Sequence, residues 1–283
     1  MEAGGQRLPG KEWEPMRILG TIQTMLLCSV MAAVPLCAQA PAKTEDPTAK
    51  NAAQARALLD QMVTALGGDA WLGMKNREIR GTTAAFYQGK PSSGTTEFWE
   101  FHAWPEHDRI EITKHRDYVQ LYVGRDGWEV IYSGKKELPK EQLEDYLRRR
   151  DHSIETVVKV WLKDPRTLLL YGGQQLAGRH LADEVTLISA NNETVTIDLD
   201  AQTHLPLKRT FTWRDPVYHD KDEDSEEYAD YHVLDGFPTA YNVTRSRNGE
   251  LVNERFILGA KYNQELPADF WDVDAIAQRI VKK

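Results

Sequence analysis

Polar and apolar residues alternate over much of the stretch from Ser93 to Ser133. Residues 94–104 carry Phe98, Trp99 and Phe101 among threonines and glutamates. In 108–114, Arg109, Glu111 and Thr113 alternate with Ile110 and Ile112; in 118–124, Tyr118, Gln120 and Tyr122 alternate with Val119, Leu121 and Val123. A period of two sends successive side chains to opposite faces, so the pattern predicts antiparallel strands with one apolar and one wet face. Pro105-Glu106-His107 supplies a turn, because proline fixes φ and offers no N–H to a ladder. Asp126-Gly127 reverses the chain into Trp128–Tyr132. Pointing the more apolar set of each strand inward puts Trp99, Phe101, Ala103, Ile110, Ile112, Val119, Leu121 and Val123 on the covered face. A slip of one residue would reverse each assignment.

Helical periodicity brackets this sheet. Asn51 is a capping residue type, and Ala55, Leu58, Leu59, Met62, Val63 and Leu66 then recur at helical spacing up to Gly67-Gly68. A second helical stretch starts at Pro139 and carries Leu143, Tyr146 and Leu147 on one face. Ile154, Val157, Val158, Trp161 and Leu162 extend the stripe until Asp164-Pro165 ends it, and Asp151-His152-Ser153 divides it into two helices. This stretch is placed over the apolar strand face as a lid, hinged near Asp151 and Asp164-Pro165, with Val157, Val158, Trp161 and Leu162 pointing at a ligand. Strands return after Thr167. Asn191-Asn192 and Asn248-Gly249 are hairpin turns, and residues 215–227 read as an acidic loop. Leu266-Pro267-Ala268-Asp269 then caps a terminal helix bearing Phe270, Trp271, Ile276 and Ile280.

The N-terminus departs from this pattern. Met16-Arg17 opens a short basic region, 18–36 is mostly apolar, and Ala38-Gln39-Ala40 offers a cleavage site. This is the grammar of a secretory signal peptide. Residues 1–40 are therefore expected to be an upstream extension plus a cleavable signal, 41–50 a flexible linker, and 51–283 a single domain. The protein is expected in the periplasm. Both cysteines, Cys28 and Cys37, fall before the cleavage site. Leu36 precedes Cys37 where a lipid-anchoring signal has a small residue, which argues against anchoring there. The mature chain then has no thiol for disulfides, catalysis or metal. A formal net charge of −8 without a basic stripe excludes nucleic acid as the expected partner.

Motifs for chemistry are missing. There is no G-x-S-x-G, no phosphate-cradling glycine loop and no H-E-x-x-H in the sequence. His102, Glu106, His107 and Asp108 lack the spacing of a metal site and read as a solvated turn. Asp220, Asp222 and Asp224 start like a calcium loop, but Ser225 stands where glycine is needed and Tyr231 where glutamate is needed. No enzyme, cofactor or metal is expected. An apolar ligand in the mouth of a barrel-like sheet is the functional reading.

The order of these elements resembles the LolA/LolB lipoprotein-carrier superfamily. The residues that carry the resemblance are Trp104-Pro105-Glu106-His107-Asp108-Arg109, the hairpin Gly124–Tyr132, Thr196–Asp200 with Leu205-Pro206-Leu207-Lys208, and Leu266-Pro267-Ala268-Asp269-Phe270. The resemblance implies an α+β fold: an incomplete antiparallel β-barrel whose concave side is covered by helices. It implies a monomeric carrier of lipid or lipoprotein acyl chains, with envelope membrane proteins as further partners. The chain departs from the family at Trp104, where the carriers have an arginine that helps close the lid, and in its extra acidic segment. A packed, non-catalytic envelope protein is the alternative reading.

Overall fold

The computed structural model describes residues 46–92, 94–215 and 218–281. The alternating segments form β1 (Asn76–Tyr87), β2 (Lys90–Pro91), β3 (Thr96–Ala103), β4 (His107–Ile112), β5 (Tyr118–Val123), β6 (Asp126–Ile131) and β7 (Gly134–Glu137). After the helical stretch come β8 (Leu168–Ala177), β9 (His180–Ile188), β10 (Thr194–Asp200), β11 (Pro206–Arg214), β12 (Lys221–Leu234), β13 (Phe237–Arg247) and β14 (Glu250–Tyr262). They form one antiparallel sheet in the order β7-β6-β5-β4-β3-β1-β14-β13-β12-β11-β10-β9-β8, with β2 folded back on β1. The sheet is curved and open, an incomplete half-barrel, as the resemblance implies.

Strand order explains where the helices lie. The connection from β7 to β8 runs from one edge of the sheet to the other, so it must cross a face. It holds α3 (Lys140–Asp151), α4 (Ile154–Lys159) and a 3-10 turn (Trp161–Lys163). The N-terminal α1 (Pro47–Leu66) and α2 (Gly68–Leu72) share that face. Leu59, Met62 and Trp71 join Val157, Val158 and Trp161 in one core against Val185, Leu187, Ile197 and Phe211 of β9–β11. Each large apolar side chain buried there contributes about 1.5–3 kcal/mol. We call this the inner face. The terminal helix α5 (Val273–Val281) lies on the opposite face, where Ile276 and Ile280 pack on Val119, Leu121 and Val130.

Helix α1 starts earlier than the cap reading of Asn51 implies. Asp46 is its N-cap, accepting from the Thr48 N–H at 3.0 Å, and Pro47 occupies the first turn, where its missing N–H costs nothing. Residues 47–50 are thus helix and not linker. Asn51 has another task. Its amide donates to the Tyr171 carbonyl and accepts from the Tyr171 N–H, both at 2.9 Å. It thereby satisfies the backbone groups of Tyr171 on edge strand β8 and caps the edge at that point, where an open edge would template pairing.

The acidic segment is also not a loop beyond its first residues. From Lys221 onward it is β12, and its carboxylates alternate between faces.

A register shift between Arg80 and Gly81 marks a bulge in the β1–β14 ladder. A Cβ at position 81 would collide with the Phe256 carbonyl oxygen, a backbone atom that cannot swing away. Gly81→Ala is expected to cost about 1–3 kcal/mol, the range for overpacked sites, read as a lower urea midpoint with an unchanged slope.

Candidate functional site

Beside the apolar core over β9–β11, the central strands of the inner face carry charged residues. Across the ladder, Arg209 stands opposite Glu226 and Glu226 opposite Arg245, while His102 stands between Arg77 and Asp108. Arg209 is 1% exposed and Asp224 0%. Burial on this scale is tolerable only when each charge is paired and hydrogen-bonded. Arg209 Nη2 reaches Glu226 at 3.3 Å and Asp224 at 3.4 Å, and Arg245 reaches Asp224 at 2.7 Å. Arg255 joins Glu100 at 2.8 Å to Glu226 at 3.5 Å. Burial presses the Glu226 carboxyl upward, but Arg209 and Arg255 override it and hold its pKa down to about 2.

The same chemistry ties the crossing helices down. Glu155 of α4 meets Lys159 at 2.7 Å, Arg77 of β1 at 3.0 Å and His102 Nε2 of β3 at 3.2 Å. His102 Nδ1 lies 2.6 Å from Asp108 Oδ1, and Arg150 of α3 lies 3.5 Å from the other oxygen of Asp108. Lys159 also sits 4.8 Å above the Trp104 ring. Trp104 thus contacts the crossing segment. On α3, Tyr146 stacks on Tyr122 at 3.6 Å.

Beside this network is a cavity of about 220 Å³. Leu66, Trp71 and Ile154 from the helices and Phe237, Val243 and Ile257 from β13 and β14 give it apolar walls. Arg77, Glu100, Glu155, Glu226 and Arg255 form a charged floor. It is smaller than the roughly 300–1,000 Å³ usual for drug-sized ligands. A second cleft, of about 590 Å³, is lined by residues of the β8–β12 region without any helical residue. Its Asp198 and Asp200 are already bonded to Gln175 and His180 at 2.9 Å.

None of the eleven residues assigned from the sequence lines the first cavity. Val119 and Leu121 lie on the opposite face under α5, with Val123 packed beside them. Phe101 is in register with Arg109, and Arg109 with Leu121, so Trp99 and Phe101 share that opposite face. Phe101 makes an edge contact with Phe270 at 4.9 Å, and Arg116 lies over Trp99 at 5.0 Å. Ile110 and Ile112 are on the inner face, aligned with Glu100 and Phe98. Val157, Val158, Trp161 and Leu162 do face inward, but they are packed into the α1–β9–β11 core.

The face assignment fails because Arg109 and Glu111 behave as core residues. They are 9% and 2% exposed, and they neutralise each other at 2.5 Å. Arg109 also donates to the Phe270 carbonyl at 2.9 Å. A charged pair can therefore occupy the buried position that alternation reserves for apolar residues. The expected solvated turn is corrected on the same grounds, since His102 and Asp108 are 6% and 3% exposed. The cavity floor had a signal in the sequence. Counting outward from the two-residue turn Asp235-Gly236 pairs Glu226 with Arg245 and Asp224 with Arg247, as the register does.

No protein-family model matches the chain, and no curated protein matches it. Solved structures do. A DUF1329 family protein from Desulfovibrio piger aligns with a TM-score of 0.54 at 14% identity, over 78% of this chain and 98% of that one. A LolA superfamily protein from Nitrosomonas europaea aligns at 0.52 and 12% identity, over 78% and 98%. A putative outer membrane lipoprotein-sorting protein domain from Vibrio parahaemolyticus aligns at 0.52 and 11% identity, over 80% and 100%. The chain has a LolA-like fold.

His102 makes stability depend on pH. Burial, the largest influence, and Arg77 both lower its pKa, and the bonds to Asp108 and Glu155 override them and leave it raised. A base whose folded pKa is raised stabilises fully below its unfolded value and loses that contribution as pH rises through the folded value. His152 is shifted the other way, chiefly by burial, and acts below its unfolded value. Urea midpoints are therefore expected to fall as pH rises above about 6.5, the ordinary histidine value, and His102→Gln is expected to flatten that slope.

Proposed function

We propose that the protein is a non-catalytic, monomeric carrier or binding protein of the cell envelope that holds the apolar chain of a lipid or lipoprotein in the cavity between α1, α2 and α4 and strands β12–β14 and β1. The observation that carries this reading is the apolar-walled cavity under helices on the inner face of a half-barrel. The lipoprotein-sorting description of one structural neighbour supports it. We place the protein in the periplasm, with its signal cleaved after Ala40. The signal and both cysteines lie outside the described residues, and among those described no helix is long and apolar enough to cross a membrane.

A packed envelope protein that binds other proteins is the second reading. The ion pairs that fill the inner face under α3 favour it, because they occupy space that an acyl chain would need. The two readings separate on uptake. Val243 lines the cavity and is 8% exposed. Val243→Trp fills the space from one wall and is expected to abolish uptake of a fluorescent fatty acid, with a melting temperature within a few degrees of the unsubstituted protein. No uptake by the unsubstituted protein would leave the second reading.

A further inference from the structure

We infer that the chain held in this cavity ends in an anionic head group and that the Arg77 guanidinium receives it. The inference rests on the carrier reading and adds the chemical class of the ligand. The walls are apolar while the charges gather on the floor, so an occupant with one apolar and one polar end matches the cavity. The sign follows from the pairing. Glu100 has Arg255 at 2.8 Å, and Glu226 has Arg209 at 3.3 Å and Arg255 at 3.5 Å. Glu155 has two cations, Lys159 and Arg77, and the His102 imidazole within 3.2 Å. Every carboxylate on the floor is thus already compensated.

Arg77 is in the opposite position. Among the described residues Glu155 is the one carboxylate with which it forms an ion pair, and it shares that carboxylate with Lys159 and the His102 imidazole. Among the described residues its Nε is buried without a hydrogen-bond partner, as are Arg109 Nε and Arg209 Nε, but of the three only Arg77 lines the cavity. A buried N–H left unpaired is costly, and the missing group is an acceptor. A guanidinium presents its donors as a planar fork that fits carboxylate or phosphate oxygens. A fatty-acid carboxylate and a lipid phosphate share this chemistry. An incoming anion would take up the Arg77 donors that Glu155 does not use, while Lys159 keeps Glu155 paired.

The test is calorimetric titration of the protein with decanoate, decyl phosphate, decanol and decyltrimethylammonium, each below its micelle concentration. The two anions are expected to bind at least about tenfold more tightly than decanol, a difference well within reach of such a titration. Preference between them tells carboxylate from phosphate. Arg77→Gln is expected to bring the anions to the level of decanol while decanol still binds, which also reports an intact fold. If the variant fails to fold, the series on the unsubstituted protein decides alone. Equal binding of all four probes, or tightest binding of the cation, would overturn the head-group assignment and leave the carrier reading standing. Binding of none would overturn both.

Discussion

The carboxylate of Glu155 stands between a guanidinium of β1, an imidazole of β3 and an ammonium of its own helix. The crossing segment depends on it. Helix α4 has six residues, too few to be stable alone in water, so its place is set by what it docks on. Val157 and Val158 supply apolar contact on one side. Glu155 fixes the other side to the middle of the sheet, and Ile154 next to it becomes a cavity wall. The charged side of the helix and its cavity wall are thus positioned by one group.

That group is affordable only within a larger network. A buried carboxylate alone would protonate rather than remain charged. Here Arg77 and His102 override burial and keep Glu155 ionised, its pKa far below the ordinary value. His102 is held in turn by Asp108, and Asp108 contacts Arg150 of α3. A parallel chain runs through Glu100, Arg255, Glu226, Arg209, Asp224 and Arg245. Ion pairs of this kind add less net stability than apolar packing of the same volume, but removing one partner is strongly destabilising. They also fix geometry, since each guanidinium fork accepts few arrangements. The inner face is therefore divided. Apolar packing holds α1 and α4 over β9–β11, and charge pairing holds α3 and α4 over the central strands.

The sequence by itself determined most of the architecture. The period of two along 94–132, the turn residues and the helical stripes at 51–66 and 143–162 depend on neighbours close in the chain, so they were legible. The two helical regions, the antiparallel strands and the C-terminal helix with Ile276 and Ile280 buried all lie where local pattern puts them. The order of motifs was enough to indicate the LolA-like fold, although identity to the aligned structures is 11–14%.

Only the tertiary structure decided which face of each strand is inside. Polarity reports a preference for water, but a charge opposite its counter-ion has a different preference, and the counter-ion is supplied by another strand. Arg109 and Glu111 enter a core because they meet each other and the Phe270 carbonyl. Asp224 and Glu226 leave the solvent because Arg209, Arg245 and Arg255 come to them from β11, β13 and β14. Ile110 and Leu121, alike in polarity, end on opposite faces because the β4–β5 register aligns Ile110 with Gln120 and Leu121 with Arg109. Where chain-distant charges neutralise each other, hydropathy along the chain no longer marks the interior, and the register of the strands does.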